Sequence, residues 1–183
     1  MIPAWLRERF TLHLFVPLAV FIGLAASGGS KAAFADCGFA LLLLAQFRLW
    51  DDLADRAVDA LNHPRRVLVR APDVAPAIAV CGALAVVNIC VAVWRDGSGL
   101  AVALLALLDG MLGAWYLSSR SASALLPLLK YPAMLAIVVG GRIATAPVQI
   151  AVTAAVLYAA VCAYEAWHDP SGPVARRLST GGH

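Results

Sequence analysis

Charge is scarce in this chain: Asp, Glu, Lys and Arg make up 14% of its 183 residues, where a soluble domain carries roughly 25%. No hydrophilic domain or low-complexity tract interrupts its apolar runs. Those absences exclude a water-soluble globular fold. The net charge of +3 is too modest for a nucleic-acid surface, so no nucleic-acid partner is expected. Cysteine is sparse as well. Cys37, Cys81, Cys90 and Cys162 form no C-x-x-C pair and mostly sit in apolar runs, so they read as core or lipid-facing thiols. What remains is hydrophobic residue, 62% of the chain, with a mean hydropathy of +0.81. This is the composition of an integral membrane protein.

Six apolar stretches, residues 12–26, 32–50, 74–94, 100–117, 131–141 and 147–167, predict an all-α, polytopic transmembrane bundle of about six helices. Ser27-Gly-Gly-Ser30, His63-Pro64, Asp96-Gly-Ser-Gly99 and Ala146-Pro147 supply helix-stopping chemistry between them. The fifth stretch is short; a start nearer Leu125 would bring in Lys130 as a snorkelling or inward-facing residue. One domain is expected over residues 1–170, with a polar tail at 171–183.

Basic residues set the expected orientation. Eleven of fourteen lie at the N-terminus (Arg7, Arg9), in the second connection (Arg48, Arg56, Arg65, Arg66, Arg70), in the fourth (Arg120, Lys130) and in the tail (Arg176, Arg177). The alternate connections hold only Lys31, Arg95 and Arg142. The positive-inside rule then places both termini on the cytoplasmic side, of a plasma (inner) membrane in our reading. Arg7, Arg9, an apolar stretch and Ala33-Phe34-Ala35 have the layout of a signal peptide, but the long gap before the small residues contains Lys31. The segment is therefore read as retained.

The densest chemistry lies in residues 48–68, where Asp51, Asp52, Asp55 and Asp59 occupy an arc of about 100° on one helix face. Like charges at such spacings destabilise a helix by roughly 0.2–0.5 kcal/mol per pair. Stacked at the end of an apolar run, they call for a cation. Mg²⁺ is the natural one, because it takes carboxylate oxygens and leaves positions for phosphate. Arg65 and Arg66 follow directly and suit an anion. A second acidic pair, Glu165 and Asp169, shares a face at the end of the last stretch. Asp109 lies inside the fourth stretch, and Tyr116, Arg120 and Lys130 follow it within reach of an anion. His13 reads as a satisfied bundle histidine and His63 as a turn residue. Trp5, Trp50, Trp94, Trp115 and Trp167 read as an aromatic belt.

These residues resemble the UbiA superfamily of intramembrane prenyltransferases. Asp51-Asp52-Leu-Ala-Asp55-Arg56-Ala-Val-Asp59 is similar to the family's N-D-x-x-D-x-x-x-D, with Asp51 in the asparagine position. His63-Pro64-Arg65-Arg66-Val-Leu68 resembles the basic segment that follows. Tyr116-Leu-Ser-Ser-Arg120 resembles the tyrosine and basic residue after the fourth helix, and Glu165-Ala-Trp-His-Asp169 the second D-x-x-x-D. The resemblance implies Mg²⁺-dependent transfer of an isoprenyl group from an isoprenyl diphosphate to an acceptor within the membrane. Asp52, Asp55 and Asp59 would be the catalytic carboxylates. Asp51 would join them as metal ligand, with Glu165 and Asp169 on the second side. Arg56, Arg65, Arg66, Tyr116, Arg120 and Lys130 would bind substrate. Family members have about nine helices, so a second copy or a partner subunit is expected to complete the cavity. The alternative is a non-catalytic UbiA-like membrane subunit or lipid-diphosphate binder. A CDP-alcohol phosphotransferase is disfavoured: its D-x-x-D-G-x-x-A-R pattern would need glycine at Arg56 and alanine at Asp59.

Overall fold

A computed structural model describes residues 1–118, 125–170, 172 and 174–176. The helices are α1 (Ile2–Arg9), α2 (Leu12–Ser27), α3 (Ala33–Ala54), α4 (Arg56–Asn62), α5 (Val67–Arg70), α6 (Ala75–Arg95), α7 (Leu100–Leu117), α8 (Lys130–Val139) and α9 (Pro147–His168). Short 3₁₀ helices, Leu126–Leu129 and Gly140–Thr145, flank α8. Among the described residues there is no strand. Within those same residues five segments are long and apolar enough to cross a membrane, and the pair α1 and α2, bent by 77°, gives a sixth if counted together. The fifth of the six runs from Leu126 to Thr145, longer than 131–141, because the 3₁₀ turns extend α8 at both ends. The chain divides into two compact units, Met1–Arg95 and Asp96–His183.

In the first unit α2 and α3 form an antiparallel hairpin. The chain leaves α2 through Gly28 and Gly29, whose φ angles of 58° and 81° lie in the left-handed region that glycine enters without a Cβ penalty. Gly23 lets the two backbones meet: a Cβ there would stand 2.5 Å from the Cys37 amide nitrogen and Sγ. α3 also packs on α6, joined by a polar pair inside an apolar interface. Asn88 Nδ2 donates to Gln46 Oε1 at 2.7 Å and to the Leu42 carbonyl at 3.3 Å. Both side chains are fully buried. Such interhelical bonds contribute about 0.6–2 kcal/mol in a membrane. Near the opposite end of the same interface, buried Asp36 ion-pairs with Arg95, whose guanidinium lies 5.7 Å from the Phe39 ring centroid.

In the second unit α8 packs against both α7 and α9. The turn before α7 is organised by Asp96. Its carboxylate accepts from Ser98 Oγ at 2.6 Å and from the backbone amides of Ser98, Ala101 and Gly141 at 3.2, 2.7 and 3.1 Å. The Ser98 hydroxyl and those amides hold its pKa at about 2. The carboxylate can sit there only because residues 140 and 141 are glycines; a Cβ on either would come within about 3 Å of Asp96. Arg142 closes the end of α8 by donating to the carbonyls of Val138 and Val139 at 2.9 and 3.2 Å. Val174 packs with Leu128 and Cys162 in a small apolar cluster.

Candidate functional site: the charged end of α3

α3 stays helical to Ala54, and Asp55 continues the hydrogen-bonding, its amide donating to the Asp51 carbonyl at 2.8 Å. Asp51 and Asp55 therefore stand one turn apart, with Cβ atoms about 5–6 Å from each other. Both are half-buried. The sequence placed all four aspartates on one helix face. Their structural surroundings differ.

Asp52 is buried at 5% exposure. Trp5 Nε1 donates to its Oδ2 at 2.8 Å. Arg9 donates to its Oδ1 through Nε at 3.1 Å and Nη2 at 2.8 Å. Arg48, one turn back on α3, approaches the same oxygen at 3.3 Å. A carboxylate offers about four lone-pair sites, and here these donors crowd them. Asp59, also buried, ion-pairs with Arg66. Arg56 turns from the carboxylates and donates to the Leu68 and Ala71 carbonyls, both at 3.0 Å. It thereby satisfies acceptors exposed at the end of α5, a helix of only four residues. Arg65 is exposed beside His63 and Pro64.

An open, apolar cavity of about 470 Å³ adjoins this end, lined by Leu53, Ala54, Arg56, Val69, Val74 and Ile78 among others. Its volume falls within the range of small-molecule sites, roughly 300–1,000 Å³. Arg48 adds a second feature: its Nε is buried and has no hydrogen-bond acceptor. A buried charged donor without a partner costs more than a neutral one, and a phosphate oxygen would satisfy it.

Among the described residues, no three His, Cys, Asp or Glu side chains converge as a metal-holding group. Mg²⁺ does not require one, since it is commonly held by one or two carboxylates together with substrate phosphates and waters. Asp51 and Asp55 fit that smaller set. Asp52 and Asp59 are each ion-paired with arginine.

The other expected site residues belong to the second unit. Glu165 is half-buried and Asp169 exposed, one turn apart, the Asp169 amide donating to the Glu165 carbonyl at 2.9 Å. Tyr116 is half-buried and meets Trp115 edge-on at 5.2 Å. Lys130 is buried at 5% exposure, 5.5 Å from the Tyr131 ring. Arg120 lies outside the described residues. Asp109 is half-buried.

Two structural expectations change. Trp5 is 2% exposed and bonded to Asp52, so it does not join the aromatic belt, whereas Trp94 and Trp167, 81% and 77% exposed, suit that role. His13 is exposed on α2, not enclosed in the bundle. The sequence reading left Arg9 and Trp5 out of the site and gave Arg48 no ligand role. Arg48 carried a local signal, its four-residue spacing to Asp52; the other two carried none.

The helices and their charged end define a class, a polytopic helical protein of membrane-spanning composition. No family model, curated protein or solved structure matches the chain.

Proposed function

We propose that this protein binds an isoprenyl diphosphate at the charged end of α3 and transfers the isoprenyl group, with Mg²⁺, to an acceptor within the membrane, as the UbiA resemblance implies. The carrying observation is an apolar cavity of about 470 Å³ lined by Leu53, Ala54 and Arg56, the sequence neighbours of Asp55. An amphiphile with a hydrocarbon tail and an anionic head needs both an apolar wall and a charged end. Arg48 and Arg65 are the cations nearest in sequence to that end that are not bonded to backbone carbonyls; Arg48 is shared with Asp52 and Arg66 with Asp59. Asp51 and Asp55 would hold the metal, which supplies charge to stabilise departing diphosphate. The apolar wall would keep water from the allylic carbon as its bond to the diphosphate oxygen breaks and the acceptor's electron pair replaces it. The cytoplasmic side and the plasma membrane remain part of this proposal.

A second reading, a lipid-diphosphate binder without turnover, is favoured by one observation: Asp52 and Asp59 are engaged with arginines. The two readings separate in one assay. Purified protein in nanodiscs is incubated with Mg²⁺ and geranyl, farnesyl or geranylgeranyl diphosphate, and diphosphate release and prenylated lipid are followed. Release that disappears in Asp55→Ala supports transfer. Mg²⁺-dependent binding without release supports the binder. Neither binding nor release by folded protein overturns both.

A further inference from the structure

The contacts made by α1 lead beyond a binding site. α1 is separated from α2 by a bend of 77°, and no side chain caps the start of α2 at Thr11. The joint is therefore stiffened chiefly by what α1 touches. Those contacts combine polar bonds with apolar burial. Trp5 and Arg9 hold Asp52, and Glu8 Oε2 accepts the Val67 amide of α5 at 2.9 Å. The Trp5 ring is 2% exposed, and Phe10 stacks on it at 6.3 Å and on Phe15 at 4.5 Å.

We propose that α1 is a latch on the acidic end of α3, with the Arg9–Asp52 pair as its bolt, and that magnesium diphosphate opens it. This rests on the functional reading above. The physical reason is an exchange of partners. Arg9 prefers a phosphate oxygen over a carboxylate it must share with Trp5 and Arg48. Asp52, released, can turn toward Mg²⁺ beside Asp51 and Asp55. Both ions of the bolt find a new partner in the ligand, so opening leaves no buried charge alone. A protein in which the open form is about a tenth of the population binds about tenfold more weakly than its open form. Weakening the bolt should recover that factor.

The test uses the full chain in nanodiscs, hydrogen–deuterium exchange over residues 2–9, and binding of farnesyl diphosphate with Mg²⁺. In the wild type, the ligand should speed exchange in residues 2–9, whereas Mg²⁺ alone should not. Arg9→Gln should exchange fast without ligand, but it also lacks the guanidinium that would meet the phosphate, so its affinity gain falls short of tenfold; Arg9→Lys should restore part of the protection. Trp5→Phe keeps the ring and Arg9 but loses the indole donor to Asp52; it should exchange faster than the wild type and bind more tightly. If the wild type binds with unchanged exchange at 2–9, or Trp5→Phe binds no tighter, the latch is wrong and the functional reading stands. If the variants bind and the wild type does not, the latch is supported. If no protein binds, the functional reading falls and the latch with it.

Discussion

A buried carboxylate that shares its oxygens among an indole and two guanidinium groups is fixed in place by them. Asp52 is such a group, and its first task in this fold is to tie α1 to α3. Removing one partner from a buried pair costs about 3–5 kcal/mol, because the other charge stays buried. The flanking arginines keep some access to water, 21% for Arg9 and 25% for Arg48, so the lower end applies. Asp52→Asn should therefore cost about 3 kcal/mol in denaturant titrations of the detergent-solubilised protein. Asp55→Asn should abolish Mg²⁺-dependent diphosphate binding while the protein stays folded. Binding that persists in folded Asp55→Asn would sink its role in holding the metal. Asp36 and Arg95 offer a cleaner case, since the carboxylate is fully buried and the arginine nearly so. Asp36→Leu or Arg95→Leu alone should cost about 3–5 kcal/mol, and the double replacement distinctly less than their sum. A double-mutant cycle with no coupling would refute the pair.

At the scale of elements, the α2–α3 hairpin depends on one missing methyl group. Gly23→Ala would push a Cβ into the Cys37 backbone, which cannot swing aside, so the helices must part; an overpacked contact costs about 1–3 kcal/mol. Gly38→Ala, with no atom within 4 Å of the new Cβ, should be neutral or stabilising by up to about 1 kcal/mol. Thermal unfolding of the two variants side by side decides it. The turn before α7 carries a pH signature instead. Asp96 has a folded pKa of about 2 against 3.8 for the free group. Its stabilisation is fully present above the unfolded value and is lost as pH falls from about 4 toward 2. Wild-type unfolding should steepen in that window, and Asp96→Asn should remove the steepening. These elements also show what a sequence can tell. Apolar length and Gly-Pro punctuation are local, so 100–117 and 147–167 match α7 and α9 almost to the residue. The face shared by the aspartates was local too. Their partners were local only in part: Arg48 is one turn from Asp52, but Arg9 and Asp52 lie 43 positions apart, and periodicity says nothing about which of many arginines reaches a given acid. Arg56 went to two carbonyls because a four-residue helix exposes acceptors that a sequence pattern does not weigh.

For the whole molecule the described residues offer five membrane-spanning candidates, or six if α1 and α2 count together, and the contacts of the first unit bear on α2. α2 has 16 residues, about 24 Å of helix at 1.5 Å per residue, which is short for a hydrocarbon core of ~30 Å. Yet Arg9, just before α2, pairs with Asp52 near the end of α3, while Gly23 meets Cys37 near its beginning. α2 therefore runs back along most of the length of α3, and if α3 crosses, α2 crosses too. Six crossings would put both termini on one side, the expectation drawn from the eleven-to-three division of basic residues. Single cysteines at Asn62 and Gly97, with Cys37, Cys81, Cys90 and Cys162 replaced by serine, test this in spheroplasts of a bacterial host. A membrane-impermeant maleimide should label position 97 in intact spheroplasts and position 62 only after permeabilisation. Labelling of both in intact spheroplasts would mean that α6 does not cross. Reversed labelling would place the acidic end of α3 away from the cytoplasm, where phosphorylated metabolites are made, and the diphosphate reading would lose its substrate supply.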